Sequence, residues 1–380
     1  MRIKFYCYLF LVSSFLLLSC GNETKDNGLL EISVDIKKGA SLPLSEITED
    51  ITAIKLELTD ESMINPKPVY IRRVILSDDL VFFAQPEKIL VFDRNGKYIR
   101  SIGSKGQGPG EYINIRNFAI DETNKRLFVN TNYNIICYDF DGNFIKESSK
   151  SQSKLGIIYD INYTNNKLLI IVDHIGLDHD HSKEFNHTVV YSLNDDFQVA
   201  DSCTIRKVYG SVSFSMREDN YILSKDSTVY LYYPFVFGHP EEFTQKMVLR
   251  DTVYRFENNQ LVPDFRLKFK NDGVDTGGNL SIDLYNVYRS SRYVFADYID
   301  YRLDSGIDGY YAYFRFCYDT KTGKKYNFMW GYTDDIHQID SVKIRPFNNN
   351  PEMFYYLSTN MKTGDLEEPN PTLYIGRLKK

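Results

Sequence analysis

The sequence predicts an all-β protein, and three features of the chain support this fold class. The 380 residues include 30 Tyr and 25 Phe, and 43% are hydrophobic, which is enough apolar surface for a large folded core. Aromatic and β-branched residues fit the pleated, half-buried surface of a sheet. A short motif of an apolar and an aromatic residue followed by a turn recurs along the chain, whereas no segment keeps a helical period over three turns.

The first twenty residues have the pattern of an export signal that ends in a lipidation site. Arg2 and Lys4 provide positive charge, and residues 5–18 are apolar but too short for a membrane span of roughly 20 residues. Leu17-Leu18-Ser19-Cys20 resembles the lipobox of bacterial lipoproteins, which implies that residues 1–19 are removed and that Cys20 is acylated. The alternative is an ordinary secreted protein with a cysteine near its cleavage site.

Residues 20–45 are predicted to be the lipidated N-terminus and a tether. Residues 22–28 are polar, as expected of a flexible segment that leaves a bilayer. Glu23 and Asp26 give this segment a loose resemblance to the surface-export signal of Bacteroidota lipoproteins. The resemblance implies an outer-membrane anchor and leaves the periplasmic and surface-exposed sides both open.

The charge and the cysteines exclude several classes of partner and cofactor. Removal of residues 1–19 lowers the basic residues from 45 to 43 against 51 acidic ones, so the net charge goes from −6 to −8. Nucleic acid is therefore an unfavourable partner. Cys137, Cys203 and Cys317 are an odd number without close spacing, which supports neither a disulfide framework nor a zinc ribbon.

Six copies of the recurring motif divide the remaining chain. Each copy has an apolar residue and an aromatic residue, and the first five are followed by a polar turn. The aromatic positions are Phe92, Tyr138, Tyr191, Tyr254, Tyr318 and Tyr374. Their separations of 46, 53, 63, 64 and 56 residues suit four-stranded propeller blades with loop insertions. Residues 46–380 are therefore predicted to form one six-bladed β-propeller.

The turns and the chain ends predict how each blade is built and how the ring closes. Asn95-Gly96 and Asp141-Gly142 tolerate the positive φ of a tight hairpin, and we place such turns between the third and fourth strands. Too few residues follow Tyr374 for another strand. The alternating strand 50–58 is therefore predicted to pair with the last blade and to hide both sheet edges.

Residues 88–146 carry a specific resemblance. They contain the recurring motif around Phe92, the element Gly108-Pro109-Gly110-Glu111, and the recurring motif around Tyr138. This region resembles NHL-repeat propellers, and in particular the six-bladed β-propeller lipoproteins of Bacteroidota. The resemblance is diffuse beyond Lys150, where the remaining blades rest on spacing alone.

Residues 103–110 and the histidines offer two candidate sites. The glycine-rich stretch lacks the Gly-Lys-Ser/Thr ending of a phosphate loop, so we interpret it as a connection between blades. Four of the six histidines lie within residues 174–187, at His174, His179, His181 and His187. Imidazole and carboxylate groups suit zinc, although the spacing matches no closed metal motif and a solvated loop is the favoured interpretation.

Aromatic, acidic and cysteine residues have both functional and packing interpretations. Exposed tyrosines could stack on sugar rings or anchor a protein, whereas alternating ones pack between blades. The aromatic candidates are Tyr230, Tyr232, Tyr233, Phe235, Phe237, Tyr285, Tyr288, Tyr293, Tyr298, Tyr301, Tyr310, Tyr311 and Tyr313. The pairs Asp78-Asp79, Asp195-Asp196 and Asp334-Asp335 are expected to serve their own turns. Cys137 and Cys317 are expected to be buried.

The leading functional hypothesis is a non-catalytic cell-envelope lipoprotein whose propeller binds a glycan, a peptide or a partner protein. We assign no catalytic, cofactor or metal residue, and Cys20 is the only assigned modification site. The alternative is a metal-dependent lyase or hydrolase with its site in the central channel or in the loop from His174 to His187. A third possibility is a structural subunit of a larger envelope complex.

Overall fold

A computed structural model describes residues 29–35, 39–65, 67, 70–131, 134–148, 156–177, 184–209, 222–232, 251–270, 281–304, 311–358 and 369–380. This part of the chain is almost entirely β structure, with one short helix, α1 (Leu44–Ile47). Within it, no helix is both long enough and apolar enough to span a bilayer. The all-β prediction is therefore confirmed.

Six sheets of four or five strands make up most of the described structure, and we number them by their order in the chain. Sheet 1 contains β3 (Arg73–Leu76), β4 (Leu80–Gln85), β5 (Lys88–Asp93) and β6 (Tyr98–Ile102). Sheet 2 contains β9 (Asn117–Asp121), β10 (Arg126–Asn130), β11 (Ile135–Asp139) and β12 (Phe144–Glu147). Sheet 3 contains β13 (Ile157–Thr164), β14 (Lys167–Leu177), β15 (Glu184–Leu193) and β16 (Val199–Tyr209).

The second half of the chain repeats this pattern and recruits two strands from the N-terminal region. Sheet 4 contains β17 (Ile222–Lys225), β18 (Thr228–Leu231), β19 (Thr252–Glu257), β20 (Gln260–Phe269) and β1 (Leu30–Val34). Sheet 5 contains β21 (Ile282–Arg289), β22 (Tyr293–Asp304), β23 (Tyr311–Asp319) and β24 (Lys325–Met329). Sheet 6 contains β27 (Arg345–Phe347), β28 (Asn350–Ser358), β29 (Thr372–Leu378) and β2 (Thr48–Lys55). Two short ribbons are β7 (Ser104–Lys105) with β8 (Glu111–Tyr112), and β25 (Tyr332–Asp334) with β26 (Ile339–Val342).

Within each of the six sheets, strands that follow each other directly in the chain are antiparallel. The predicted turns lie between the third and fourth of these strands. Asn95-Gly96 connects β5 to β6, and Asp141-Gly142 connects β11 to β12. Gly96 has φ of 89°, and a Cβ at this position would collide with the backbone carbonyl oxygen of Lys55. Only glycine fits this turn, because the neighbouring strand β2 passes directly beside it.

The predicted pairing of an N-terminal strand with the last sheet is present. β2 runs antiparallel to β29, with Thr48 opposite Leu378 and Lys55 opposite Thr372. β2 is thus the outer strand of sheet 6, as the shortage of residues after Tyr374 predicted. The observed strand begins two residues earlier than the predicted one and ends at Lys55.

The prediction of a tether over residues 20–45 is wrong for its second half. β1 pairs in parallel with β20, and Ile32 and Val34 are buried against sheets 4 and 5. Leu42 is also buried, next to Leu44 of α1. Apolar residues at every second position give β1 one buried face, so this segment gains more from packing than from solvation. Residues 1–28, including Cys20, lie outside the described residues.

Six hydrophobic clusters occupy the spaces between the sheets. Five of them join sheets that follow each other in the chain. The sixth joins sheet 6 to sheet 1, where Phe347 and Tyr355 pack in one cluster with Phe83 and Phe92. Cys137 and Cys317 are fully buried members of such clusters, which confirms their predicted packing role.

The first strands of the sheets meet around a buried ion pair. Arg73 of β3 donates to Asp160 of β13 at 2.5 Å, and the two side chains are 3% and 0% exposed. Arg73 also donates to the backbone carbonyl oxygens of Phe118 and Ile161, both at 2.9 Å. Asp160 accepts the backbone N–H of Ile222 of β17 at 2.9 Å. One pair of charges therefore connects sheets 1, 2, 3 and 4.

The turn between β27 and β28 joins sheet 6 to the same centre. The backbone carbonyl oxygen of Asn348 accepts the N–H of Ser224 at 2.8 Å and the side-chain amide of Asn162 at 3.2 Å. Asn117 of sheet 2 donates to Asp160 at 3.1 Å. The meeting point of the described inner strands is therefore filled by polar side chains that hydrogen-bond to one another.

We expect Arg73→Met to lower the free energy of unfolding by about 3–5 kcal/mol, because it leaves the Asp160 carboxylate buried without its cation. Lys105→Met is the matched control, since Lys105 pairs with Glu87 at a position where both side chains are more than half exposed. Urea unfolding followed by circular dichroism should show a large shift for the first variant and almost none for the second. Equal shifts would contradict a central role for the buried pair.

Candidate ligand-binding cleft

Two adjoining cavities of about 590 and 470 Å³ lie where turns from several sheets converge. Asn349, Asn350, Met353 and Arg377 line both cavities and form the wall between them. We call the two cavities together the cleft. Their volumes fall within the ordinary range for small-molecule sites.

The cleft is built by the turns that connect the first two strands of five sheets. Asp78 follows β3, Glu122 follows β9, Asp226 follows β17, Ser291 follows β21 and Asn349 follows β27. The hydrogen bonds around Asp160 and Asn348 hold four of these inner strands together. The cleft walls are therefore loops placed on a rigid base, which is the usual arrangement of binding sites.

A carboxylate is fixed in the larger cavity. Glu352 Oε1 accepts from Lys225 Nζ at 2.6 Å, from the Ser291 backbone N–H at 2.6 Å and from Ser291 Oγ at 2.9 Å. Lys225 also contacts Ser291 Oγ. Three elements from sheets 4, 5 and 6 thus converge on one oxygen atom, which orients the whole carboxylate.

Two acceptor oxygens beside the cleft have no hydrogen-bond donor. Glu352 Oε2 is shielded from solvent and is unpaired, and so is Asn349 Oδ1. The Asn349 side-chain amide donates to the Leu76 carbonyl oxygen at 3.3 Å, which directs this side chain towards sheet 1. An unpaired buried acceptor costs about 1–3 kcal/mol, and both of these atoms are closed to solvent.

The charges that line the cleft balance. The basic residues are Arg94, Lys225, Arg377 and Lys380. The acidic residues are Asp78, Glu122, Asp226 and Glu352. Leu76, Phe347, Met353 and Leu378 add apolar surface. The arrangement can bind a ligand through many hydrogen bonds and some apolar contact, without a strong preference for either sign of charge.

Two of the four clustered histidines, His174 and His187, lie among the described residues. His174 of β14 faces His187 of β15 in the sheet 3 register, with ring centroids 6.0 Å apart. His174 Nε2 hydrogen-bonds to Tyr191 Oη at 2.8 Å, and His187 Nε2 to Thr204 Oγ1 at 2.9 Å. Each of these two ring nitrogens therefore already has a hydrogen-bond partner within the chain.

The metal hypothesis gains no support from the described residues. They include no group of three or more His, Cys, Asp or Glu side chains placed to hold a metal ion. His179, His181 and His239 lie outside the described residues, so a site in the loop between His174 and His187 stays a prediction.

The glycine-rich stretch is a structural connection, as predicted. Glu111 Oε2 accepts the backbone N–H of Gly108 at 2.8 Å, and Tyr138 Oη donates to the carbonyl oxygen of Gly110 at 2.7 Å. Tyr112 Oη donates to the Ile102 carbonyl oxygen at 2.7 Å.

The aromatic candidates separate into packing and surface residues. Tyr285, Tyr288, Tyr293 and Tyr298 are at most 4% exposed, which agrees with the packing interpretation. Tyr301 and Tyr311 are 45% and 56% exposed and contact each other edge to face at 4.8 Å. Tyr230 is partly buried, Tyr232 is buried and Tyr313 is half-buried. Tyr233, Phe235, Phe237 and Tyr310 lie outside the described residues.

Asp334 serves its own turn, as predicted, and also has a structural role that the sequence did not indicate. The Asp195 and Asp196 side chains pair instead with Arg126 and Lys146 of sheet 2. Asp334 Oδ1 accepts the backbone N–H groups of Ile336 and His337 at 3.0 and 3.1 Å. Its Oδ2 accepts from His337 Nδ1 at 2.8 Å and from Tyr356 Oη. Burial, followed by the Asp334 hydrogen bond, raises the pKa of Tyr356. Asp334 is fully buried and anchors the β25 ribbon to sheet 6.

Sequence reasoning missed Lys225, Ser291, Glu352 and Arg377. These residues are far apart in the chain and belong to no recognisable motif, so they become neighbours only through the packing of the sheets. The single local signal is the polar run Asn348-Asn349-Asn350, which predicts a turn and says nothing about its position.

Family models and solved structures place this architecture among known proteins. Residues 29–374 match the family described as a domain of unknown function, DUF4934. The chain belongs to this family. No curated protein matches the DUF4934 chain at a significant level.

A crystal structure of a protein from Bacteroides fragilis NCTC 9343, described as exported, superposes with a TM-score of 0.63. It is 16% identical, and the match covers 92% of this chain and 100% of the other. The β-propeller domain of the Trilobed protease from Pyrococcus furiosus has 13% identity and a TM-score of 0.36, with 82% and 84% of the two chains covered. At these identities the likeness concerns the fold alone.

Acidification should destabilise the protein in part through His174 and His187. Burial lowers the pKa of both side chains, and nearby His174 and Lys207 lower that of His187 further, against an opposing effect of Asp173. The unfolded chain then binds protons more readily than the folded one, so stability is present above about pH 6.5 and is lost as the pH falls. Urea midpoints at about pH 7.5 and pH 5.5 should differ less in His174→Gln/His187→Gln than in wild type. An unchanged difference would contradict this assignment.

Proposed function

We propose that this DUF4934 protein is an exported, lipid-anchored β-propeller that binds a ligand in the cleft and catalyses no reaction. The observation that carries the proposal is the convergence of turns from five sheets on cavities lined by Lys225, Glu352 and Arg377. The ligand is a glycan, a peptide or an envelope protein segment.

The packing of the sheets supports six blades in a closed ring. Each of the six sheets shares a hydrophobic cluster with the next, and the cluster of Phe83, Phe92, Phe347 and Tyr355 connects the last sheet to the first. β2 completes sheet 6, so one blade holds strands from both ends of the described chain. A ring closed in this way leaves no inner sheet edge exposed.

Export and anchoring rest on two further arguments. The lipobox-like segment ends at Cys20, and a structural relative from Bacteroides fragilis is described as exported. The proposed anchor is an outer-membrane lipid on Cys20.

The direction of β1 suggests how the anchor and the cleft are related. In an antiparallel sheet the first and third turns lie on the same side, so the turn between β19 and β20 is on the cleft side. β1 runs parallel to β20, from Leu30 opposite Phe265 to Val34 opposite Phe269. Its N-terminal end therefore points to the cleft side, and an anchored propeller would turn its cleft towards the membrane.

Ligand binding is tested by closing the cleft. We expect low-molecular-mass solutes from the cell envelope to slow amide hydrogen exchange at residues 348–353 of the detergent-solubilised mature protein. Met353→Arg should abolish the protection, because Met353 lines both cavities and a long charged side chain would fill them. Ile99→Arg is the matched control, since Ile99 is exposed on the outer strand β6. No protection in wild type, or equal protection in both variants, would refute a ligand site in the cleft.

Anchoring is tested at Cys20. Wild-type protein should incorporate labelled palmitate and sediment with membranes, whereas Cys20→Ser should do neither, because no other residue is expected to take the lipid. Cys203→Ser removes a partly exposed free cysteine and should behave as wild type. Equal labelling of the two variants would show that the lipid is not on Cys20.

A further inference from the structure

We infer that a basic patch on sheets 5 and 6 rests against the anionic phospholipid surface of the bilayer that holds the anchor. The patch would give the protein a second membrane contact besides the lipid on Cys20. The inference rests on the proposed anchor and goes beyond ligand binding in the cleft. The members of the basic patch are Arg292, Lys321, Lys324, Lys325, Lys379 and Lys380.

Short contacts join the basic patch into one surface. Lys324 Nζ donates to Glu46 Oε2 at 3.2 Å, and Lys379 Nζ donates to the Glu46 carbonyl oxygen at 3.1 Å. Arg292 Nη1 donates to the carbonyl oxygen of Lys380 at 3.4 Å. Since residues 379 and 380 follow each other in the chain, turns of sheet 5 and the segment after β29 of sheet 6 form a continuous basic surface.

Cations outnumber carboxylates on this surface. The side-chain carboxylates bonded within it belong to Glu46, Asp319 and Asp335. Lys321 and Lys380 are exposed, and their ammonium groups have no carboxylate partner in the part of the chain that the structure describes. The mature chain, with 43 basic and 51 acidic side chains, has a net charge of −8. The basic patch is therefore a local exception on an acidic protein.

The corresponding turns of two other sheets carry the opposite charge. The turn between the third and fourth strands holds Lys321 and Lys324 in sheet 5, but Asp141 in sheet 2 and Asp195 and Asp196 in sheet 3. These three aspartates are exposed. An anionic surface would therefore attract the part of the protein around sheet 5 and repel the part around sheets 2 and 3.

The described chain begins next to the basic patch. Lys325 Nζ donates to Ser33 Oγ at 2.8 Å, so β1 meets sheet 5 at the patch. Leu29, the first described residue, precedes Ser33 by four residues, and an extended chain of that length spans about 14 Å. The nine residues from Cys20 to Gly28 add at most about 32 Å. A lipid on Cys20 therefore keeps the bilayer within reach of the patch.

This permanent proximity favours the bilayer over a soluble acidic protein as the partner. A tethered surface stays at a high effective concentration, whereas a free protein must be captured from solution. Lipid phosphates attract Lys and Arg side chains that approach within a Debye length, about 8 Å at physiological salt. Each lysine at an anionic bilayer strengthens binding by roughly fivefold. Several lysines together would fix which side of the anchored protein faces the membrane.

The test uses the mature chain with Cys20→Ser, so that membrane binding is measured without the acyl chain. Co-sedimentation is followed with vesicles of phosphatidylcholine that contain about one third phosphatidylglycerol, and with vesicles of phosphatidylcholine alone. We expect binding to the anionic vesicles, loss of this binding at about 0.5 M NaCl, and at least tenfold weaker binding to the neutral vesicles. Equal binding to both kinds of vesicle, or binding to neither, would overturn the inference.

A pair of charge variants locates the contact. Lys321→Gln/Lys380→Gln should weaken binding to the anionic vesicles by about tenfold or more, because two uncompensated cations are removed. Lys97→Gln/Lys105→Gln is the matched control, since it removes the same charge from exposed positions on sheet 1 and its adjoining ribbon. Both variants should keep the wild-type melting temperature. Equal weakening by the two would show a response to net charge alone and would contradict a defined patch.

Two competitors separate the other possible occupants. Inorganic phosphate should release the protein from anionic vesicles no better than sodium chloride of equal ionic strength; a stronger effect of phosphate would indicate a discrete phosphate site and overturn docking on a bilayer. Soluble polyglutamate that binds the protein when anionic vesicles do not would assign the patch to an acidic protein instead.

The proposed anchor is judged separately by palmitate labelling. Labelling at Cys20 without vesicle binding by the Cys20→Ser chain would remove the basic patch as a membrane contact and leave the anchor and the cleft unaffected. Vesicle binding without labelling would support the patch and refute the anchor.

Discussion

The ion pair between Arg73 and Asp160 is the interaction on which the arrangement of the inner strands depends. Two charges removed from water repay their desolvation only when further hydrogen bonds satisfy them. Here Arg73 also reaches the carbonyl oxygens of Phe118 and Ile161, and Asp160 also receives the N–H groups of Ile161 and Ile222. The charges are stabilised only if four sheets are correctly placed together. Hydrophobic clusters hold neighbouring sheets face to face, whereas this polar centre sets their relative positions.

The same centre explains where the cleft lies. The Asn348 carbonyl oxygen is held by Ser224 and Asn162, so the turn that follows β27 sits against sheets 3 and 4. In that turn the Asn349 side chain is directed towards sheet 1. Glu352, near the start of β28, is bonded to Lys225 of sheet 4 and to Ser291, which follows β21 of sheet 5. The turn and the start of β28 thus contribute Asn349 and Asn350 to the walls of both cavities. Position and chemistry of the cleft have a single structural cause.

The N-terminal segment of the described chain contacts sheets 4, 5 and 6. β1 adds an outer strand to sheet 4, α1 packs between sheets 5 and 6, and β2 completes sheet 6. Lys325 Nζ donates to Ser33 Oγ at 2.8 Å, and the Asn327 side-chain amide donates to the Asp35 carbonyl oxygen at 2.9 Å. Residues close behind the proposed anchor are therefore part of the folded unit.

The amino-acid sequence by itself determined the strand content, the five turns after the recurring motifs, and the need for a strand from the N-terminal region to complete the last sheet. These features depend on local preferences, such as positive φ at Gly96 and alternation along residues 50–55, which neighbouring residues set. It also predicted burial of Cys137 and Cys317 from their place in the repeat. Only the tertiary structure decided that Arg73 meets Asp160, that β1 belongs to sheet 4, and that Lys225, Ser291 and Glu352 share a cavity. Those contacts join residues 61 to 235 positions apart, and their energy exists only when the sheets pack together.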